Sequence, residues 1–303
     1  MKQRISIICA ILMMVLLVVG CGPAQTGTTG ATHQVTDGTG TVVTVPNEPK
    51  RIVPLAASTE DIVLSLVDPS RVAAVGTVPN NVPEASAKVE KHVKASAESM
   101  LSVQPDLVLV PNWMSPDAIG EMRNMQIPVY VYKTPTTVEE AKATIHEFAG
   151  LLHASDESMI ASMDADLKTV EELANKHSGE RPLVAFYSQF GLTGGKGSTF
   201  DDMCKYLKVN NAAAQVGLGP FDNGTREDLI KSNPDIIFIP SVAYTSDGTT
   251  PATVEQLYSD PALQGVKAIS NRRVFLVDSS QVMSYSQFMT RAMVSMAQNI
   301  YSM

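Results

Sequence analysis

Apolar residues fall along this chain in short continuous runs separated by longer stretches with helical spacing. Arg51-Ile52-Val53-Pro54-Leu55, Val72-Ala73-Ala74-Val75, Leu107-Val108-Leu109-Val110 and Val129-Tyr130-Val131 predict strands buried on both faces. The same grammar resumes after Pro182, with Leu183-Val184-Ala185-Phe186-Tyr187, Ile236-Ile237-Phe238-Ile239 and Val274-Phe275-Leu276-Val277. Strands of this kind alternating with helices predict mostly parallel sheets covered on each face, so an α/β class with two lobes. Ahead of them, Gln34-Val35-Thr36 and Thr41-Val42-Val43-Thr44-Val45 flank Asp37-Gly38-Thr39-Gly40, an Asp-Gly hairpin signal.

Residues 137 to 178 are helical almost throughout, with a break at His153-Ala154-Ser155-Asp156. Ser155 or Asp156 is expected to cap a second helix reaching about Lys176, long enough at 1.5 Å per residue to span roughly 30 Å. The expected organisation is an N-terminal lobe at 34–153, one bridging helix at 154–180 and a C-terminal lobe at 181–303. The helix would act as a stiff strut that holds the lobes apart.

Ser96-Ala97-Glu98-Ser99-Met100-Leu101-Ser102-Val103-Gln104-Pro105-Asp106-Leu107-Val108-Leu109-Val110-Pro111 returns 129 residues later. The second copy is Thr225-Arg226-Glu227-Asp228-Leu229-Ile230-Lys231-Ser232-Asn233-Pro234-Asp235-Ile236-Ile237-Phe238-Ile239-Pro240. Without a gap, hydroxyl meets hydroxyl, Glu meets Glu, Pro-Asp meets Pro-Asp, and the last prolines coincide. Each copy predicts a short helix capped by Ser96 or Thr225, a Pro-Asp stop and a buried strand, so the lobes are expected to be structural duplicates. Glu98 and Glu227 then hold equivalent places in a first helical turn, where complementing the helix dipole explains a carboxylate but not its repetition.

The start of the chain is basic at Lys2 and Arg4, apolar from Ile5 to Val19, and closes on Val18-Val19-Gly20-Cys21. This is the pattern of a lipoprotein signal over residues 1–20, with Cys21 as the lipidated residue; a membrane span, the alternative, needs roughly 20 apolar residues. Residues 21–33, rich in Gly, Thr, Ala, Pro and Gln, read as a flexible leash. Lipid attachment places the mature chain outside the cytoplasmic membrane.

Composition changes the picture in two ways. The formal charge is −8, and loss of Lys2 and Arg4 takes it to −10, which argues against nucleic acid as a partner. Of three cysteines, Cys9 leaves with the signal and Cys21 carries lipid, so Cys204 has no partner for an internal disulfide. The amphipathic setting Asp202-Met203-Cys204-Lys205-Tyr206-Leu207 predicts a buried, inert thiol.

Arg51-Ile52-Val53 with Ser58-Thr59-Glu60, the doubled Pro-Asp strand, Gly194-Gly195-Lys196-Gly197-Ser198-Thr199-Phe200 and Asn271-Arg272-Arg273-Val274-Phe275 together resemble the iron-chelate and vitamin B12 substrate-binding proteins of ABC importers. The resemblance covers residue 34 to the C-terminus. It implies two Rossmann-like lobes bridged by one long helix, ligand in the cleft, and one glutamate per lobe paired with arginines of a permease dimer. Glu98 and Glu227 match those docking positions. Where the family usually has Ser-Pro-Ser-Ala-Thr-Glu, this chain has Leu55-Ala56-Ala57-Ser58-Thr59-Glu60.

Ligand contacts in open α/β sheets come from loops at the carboxyl ends of strands. The candidates are Ser58, Thr59, Trp113, Met114, Lys133, Phe190, Lys196, Tyr244, Met283 and Tyr285. Only two are cationic, whereas an anionic catecholate chelate calls for several Arg or Lys. The expected ligand is therefore a less charged metal complex: a corrinoid, haem or a neutral hydroxamate chelate. No resident cofactor or protein-held metal is expected, and the chain is expected to be a monomer.

Three enzyme signatures are incomplete. Gly191-Leu192-Thr193-Gly194-Gly195-Lys196-Gly197-Ser198 has Gly197 where a phosphate loop needs Ser or Thr for Mg²⁺. His146-Glu147 is followed by His153, seven positions on rather than the four of a zinc protease helix. A secreted hydrolase built on Ser198 lacks the histidine and carboxylate of a nucleophile-elbow triad. A surface adhesion or sensor module is the remaining alternative.

Overall fold

The computed structural model describes residues 31–77, 80–241 and 253–302. Cys21 and Tyr244 lie outside the described residues.

The chain enters through a two-stranded antiparallel hairpin, β1 (Thr32–Thr36) and β2 (Val42–Pro46). The Asp37 carboxylate explains the turn: it accepts from the Thr39 and Thr41 amides and the Thr39 hydroxyl. The same side chain reaches the Val131 amide and Arg123, and Gly38 donates to Val131 O at 2.7 Å. A Cβ on Gly38 would lie 2.9 Å from that carbonyl, so only glycine allows the hairpin to sit this close to the next sheet.

The N-terminal lobe follows with β3 (Ile52–Pro54), α1 (Ala57–Leu66), α2 (Pro83–Ser86), α3 (Ala97–Val103), β4 (Leu107–Pro111), α4 (Pro116–Asn124) and β5 (Val129–Tyr132). Its sheet has the order β3-β4-β5, all parallel. The Val72–Val75 run forms no strand; Val72 makes one bridge with Ile52 and Val75 one with His92. Two helices then lead out of the lobe: α5 (Val138–Leu152), capped by Thr137, and α6 (Glu157–Asn175). The Asp156 side chain makes no capping bond, and the Ser155 hydroxyl stands 3.4 Å from the Glu157 amide.

The second lobe contains β6 (Leu183–Ser188), β7 (Gly191–Thr193), α7 (Thr199–Tyr206), β8 (Asn210–Asn211), α8 (Ala212–Gln215), α9 (Arg226–Ser232), β9 (Ile236–Pro240), α10 (Val254–Ser259), α11 (Lys267–Ser270), β10 (Val274–Val277), α12 (Ser279–Val282) and α13 (Phe288–Tyr301). Its sheet runs β10-β9-β6-β7, parallel except for the antiparallel β7 edge, with β8 also on β6.

The internal repeat is realised residue for residue. α3 and α9 begin at 97 and 226 and end at 103 and 232, and β4 and β9 span 107–111 and 236–240, each offset by 129. Gln104 and Asn233 close the two helices in the left-handed conformation, with φ of 46° and 49°. The doubled aspartates repeat as well: Asp106 accepts from the amides of Lys50 and Arg51 before β3, and Asp235 from the amide of Leu183 in β6. Each Pro-Asp thus clamps its strand to the neighbouring one.

One long helix, α6, joins the two lobes, and it is packed into the core on its apolar face. Outer faces of the two sheets have separate apolar clusters, around Val108, Met122 and Val131 in one and Ile237, Leu257 and Ile269 in the other. The third cluster is continuous from Leu107 and Phe148 through Met163 and Val170 of α6 to Phe186, Met293 and Met296. α13 packs along α6 and covers its apolar stripe, so the connecting helix is continuous with the core that runs through both lobes. Nothing in a single amphipathic helix marks which distant helix will cover its apolar stripe.

Candidate functional site

β3 ends at Pro54 and turns sharply into α1. Ala56 makes that turn with φ of 103° and ψ of 143°, a conformation that disfavours any side chain and costs on the order of 1–3 kcal/mol. α1 starts without a side-chain cap, so its first turn faces the carboxyl edge of the sheet through Ala57 and Ser58. Across from it, the turn after β10 carries Ser280, Met283, Ser284 and Tyr285, and the loop after β4 carries Trp113. These side chains, with Ala56, line one cleft of about 260 Å³. Trp113 is 62% exposed and Met283 36%, large apolar surfaces that packing within the chain does not explain. Among the described lining residues none is charged.

Of the sequence candidates, the structure brings Ser58, Trp113, Met283 and Tyr285 to this cleft. Thr59 is a correction: it is fully buried, with its hydroxyl 3.1 Å from Leu55 O and 2.9 Å from the Tyr132 hydroxyl, because successive helical residues point about 100° apart. Lys133 is exposed at the end of β5 and pairs with Glu140 at 3.0 Å. Met114 packs half-buried against the outer cluster of the first lobe. Phe190 is exposed on the β6–β7 turn, and Lys196 is exposed in the loop before α7. None of these four lines the cleft. Ala56, Ala57, Ser280 and Ser284 do, and the sequence reading passed them over, although each neighbours a named candidate on the same strand-end loop.

Behind the cleft lies a buried polar hinge. Asp61 of α1, fully buried, accepts from the Asn81 amide at 2.6 Å and the Asn81 side chain at 2.8 Å. From the other lobe, Ser284 and Ser286 donate to the same carboxylate at 3.3 and 3.1 Å, and Gln287 donates to Asp61 O. Its neighbour Glu60, also buried, accepts from the Gly76 amide and Asn80. Burial pushes both carboxyls above the ordinary range, against the hydrogen bonds that favour their charged forms. Val138 N donates to Asp202 of the second lobe, and the Thr290 hydroxyl of α13 donates to Asp166 of α6.

Glu98 and Glu227 are both exposed, one at the start of each duplicated helix. Neither forms an ion pair among the described residues. Hydrogen bonds from its own amide and from Thr225 hold the Glu227 carboxyl below its usual range.

Ser198, on which the hydrolase alternative turned, caps α7 by accepting from the Asp201 amide at 3.1 Å. Cys204 is buried in α7, and burial pushes its thiol far up, out of thiolate chemistry.

Comparison with known proteins gives the context for this geometry. The periplasmic binding protein family model matches residues 52–281. An uncharacterized ABC transporter substrate-binding lipoprotein, YvrC of Bacillus subtilis (strain 168), is 28% identical over 321 aligned positions covering 99% of this chain and 98% of that protein. A cobalamin-binding protein of Halobacterium salinarum (strain ATCC 29341 / DSM 671 / R1) is 24% identical, covering 72% of this chain and 61% of that one. Among solved structures, the periplasmic heme-binding protein RhuT from Roseiflexus sp. RS-1 superimposes with a TM-score of 0.70 at 21% identity, covering 84% of this chain and 98% of that one. The heme-binding protein HmuT does so with a TM-score of 0.73 at 19% identity, covering 98% and 97%. With two duplicated α/β lobes closing on one cleft and the family match spanning most of its length, this chain belongs to the periplasmic binding protein family.

Proposed function

We propose that this chain is a lipid-anchored, extracytoplasmic receptor that captures an uncharged or weakly charged metal complex between its lobes and delivers it to the permease dimer of an ABC importer. The observation that carries the ligand class is the cleft wall: Trp113, Met283 and Tyr285 over a floor of Ala56, Ala57 and Ser58, with no charged side chain among the described residues that line it. Aromatic and thioether surfaces suit the face of a corrinoid, a haem or a hydroxamate chelate, while hydroxyls and the uncapped α1 amides suit its polar rim. A relative that binds cobalamin and similarly folded proteins that bind haem support this reading. The chain is a transport protein rather than an enzyme, and capture needs no covalent step.

In this reading Cys21 carries the lipid, and the monomeric receptor presents Glu98 and Glu227 to basic groups of the two permease subunits. The spacing of the two glutamates, set by the long helix between the lobes, reports the liganded state.

A thermal-shift series with cyanocobalamin, haemin, a ferric hydroxamate and a ferric catecholate tests the ligand class. A ligand at 100 times its Kd adds about 2.7 kcal/mol. Stabilisation by one of the first three is expected; stabilisation by the catecholate alone, or by none, overturns the assignment. For docking, Glu98→Ala with Glu227→Ala is expected to leave ligand affinity within about twofold while abolishing uptake, and normal uptake would refute it.

A further inference from the structure

The duplicated helices expose more than their glutamates. Leu101 is 51% exposed and Ile230 39%, and both stand three residues after the glutamate of their helix, at 98 and 101 in α3 and at 227 and 230 in α9. Residues three apart lie on one helical face, so each lobe shows the same acidic-then-apolar pair on adjacent turns. Folding does not require it. The adjacent Met100 and Leu229, fully buried, supply the core contact of each helix. A single exposed leucine on a protein surface needs no explanation. Two at one register of a repeat whose next exposed position has diverged, Ser102 against Lys231, do.

We infer that Leu101 and Ile230 are the apolar centres of two equivalent contacts, seated in matching apolar sockets beside the basic groups of a two-fold-related pair of permease subunits. The inference rests on the docking role of Glu98 and Glu227 and gives it a second chemical component. Two copies of one patch on a single chain fit a partner that presents the same socket twice. Carboxylates with no ion pair among the described residues fit a basic rim, and the exposed aliphatic side chains fit the drier middle that carries most of the binding energy in a contact of this kind.

The test is binding of the full chain, with and without cyanocobalamin, to nanodiscs carrying the cognate importer, measured across a range of ionic strength. Leu101→Ser with Ile230→Ser is expected to weaken binding at least tenfold while leaving its salt dependence and the melting temperature unchanged. Glu98→Ala with Glu227→Ala is expected to weaken binding and flatten the salt dependence. Leu101→Met with Ile230→Met should restore near-normal binding. Met125→Ser with Leu276→Ser, equally exposed positions outside the patch, should have no effect. If the serine pair binds normally while the glutamate pair does not, the apolar contact is refuted and the glutamate docking stands. If neither pair matters, the docking reading itself falls. A loss confined to one lobe, or self-association of the wild-type chain abolished by the serine pair, would also overturn the inference.

Discussion

Ser286 in the segment before α13 donates a hydrogen bond to Asp61 of α1 at 3.1 Å, closing 225 positions of sequence across the back of the cleft. Both residues are buried, so the contact belongs to the hinge rather than to the binding surface.

Asp61→Ala should be costly in proportion. It removes the shared acceptor of Asn81, Ser284 and Ser286 and takes a partner from four donor groups, each lost pairing costing about 1–3 kcal/mol before relaxation. A net loss of about 2–4 kcal/mol in urea unfolding is expected. Asp61→Asn, which keeps the shape but turns a donor toward donors, should fall in between. A variant that unfolds like the wild type would show that the lobes are held by apolar packing alone.

Trp113 separates binding from folding. With 62% of its surface exposed, Trp113→Ala should change stability by less than about 0.5 kcal/mol, while removal of the aromatic wall weakens binding of the stabilising ligand by about 10- to 100-fold. Titration calorimetry beside thermal unfolding measures both. Equal affinity in the variant would move the binding surface away from this cleft.

The sheets, the hairpin and the doubled helix-strand unit were legible because their signals are local. Continuous apolar runs, Asp-Gly, a hydroxyl cap and a Pro-Asp stop each act within a few residues. The site was legible only by region. Ser58 faces the cleft and Thr59 the interior, and which of the two does so depends on the helical phase set by the strained turn at Ala56, which no pattern of hydrophobicity encodes. Val72–Val75 has strand composition but only two bridging partners, since pairing depends on what the topology brings alongside. Nothing in the residues around Glu60 and Asp61 marks them as buried; their burial is matched by donors 16 to 225 residues away.

Glu140 gives a pH dependence with a defined sign. The Thr136 amide, Lys133 and the Thr136 hydroxyl together hold its carboxyl down at about 2, against an ordinary value of 4.5. A carboxyl depressed in the folded state contributes stability that is present above the unfolded value and lost as pH falls from 4.5 toward 2. The group is largely open to solvent, so screening keeps the effect small. Glu140→Gln should lower the melting temperature slightly at pH 7 and make its decline below pH 4.5 shallower. Parallel curves for the two proteins would remove Glu140 from the acid transition.

Cys204 offers a chemical readout of the second lobe. Its side chain is 3% exposed within α7, packed among the residues of the continuous core, and burial leaves it as a neutral thiol at any ordinary pH. Because the thiolate is the reacting species, a disulfide reagent such as DTNB should leave Cys204 untouched in the folded protein and modify it only as fast as the lobe opens. Modification should therefore slow when a ligand that bridges the lobes is added, and accelerate in Asp61→Ala, whose hinge is weakened. Rapid labelling of the native protein, equal in the presence and absence of ligand, would mean that α7 is not sealed by the packing on the α6–α13 side.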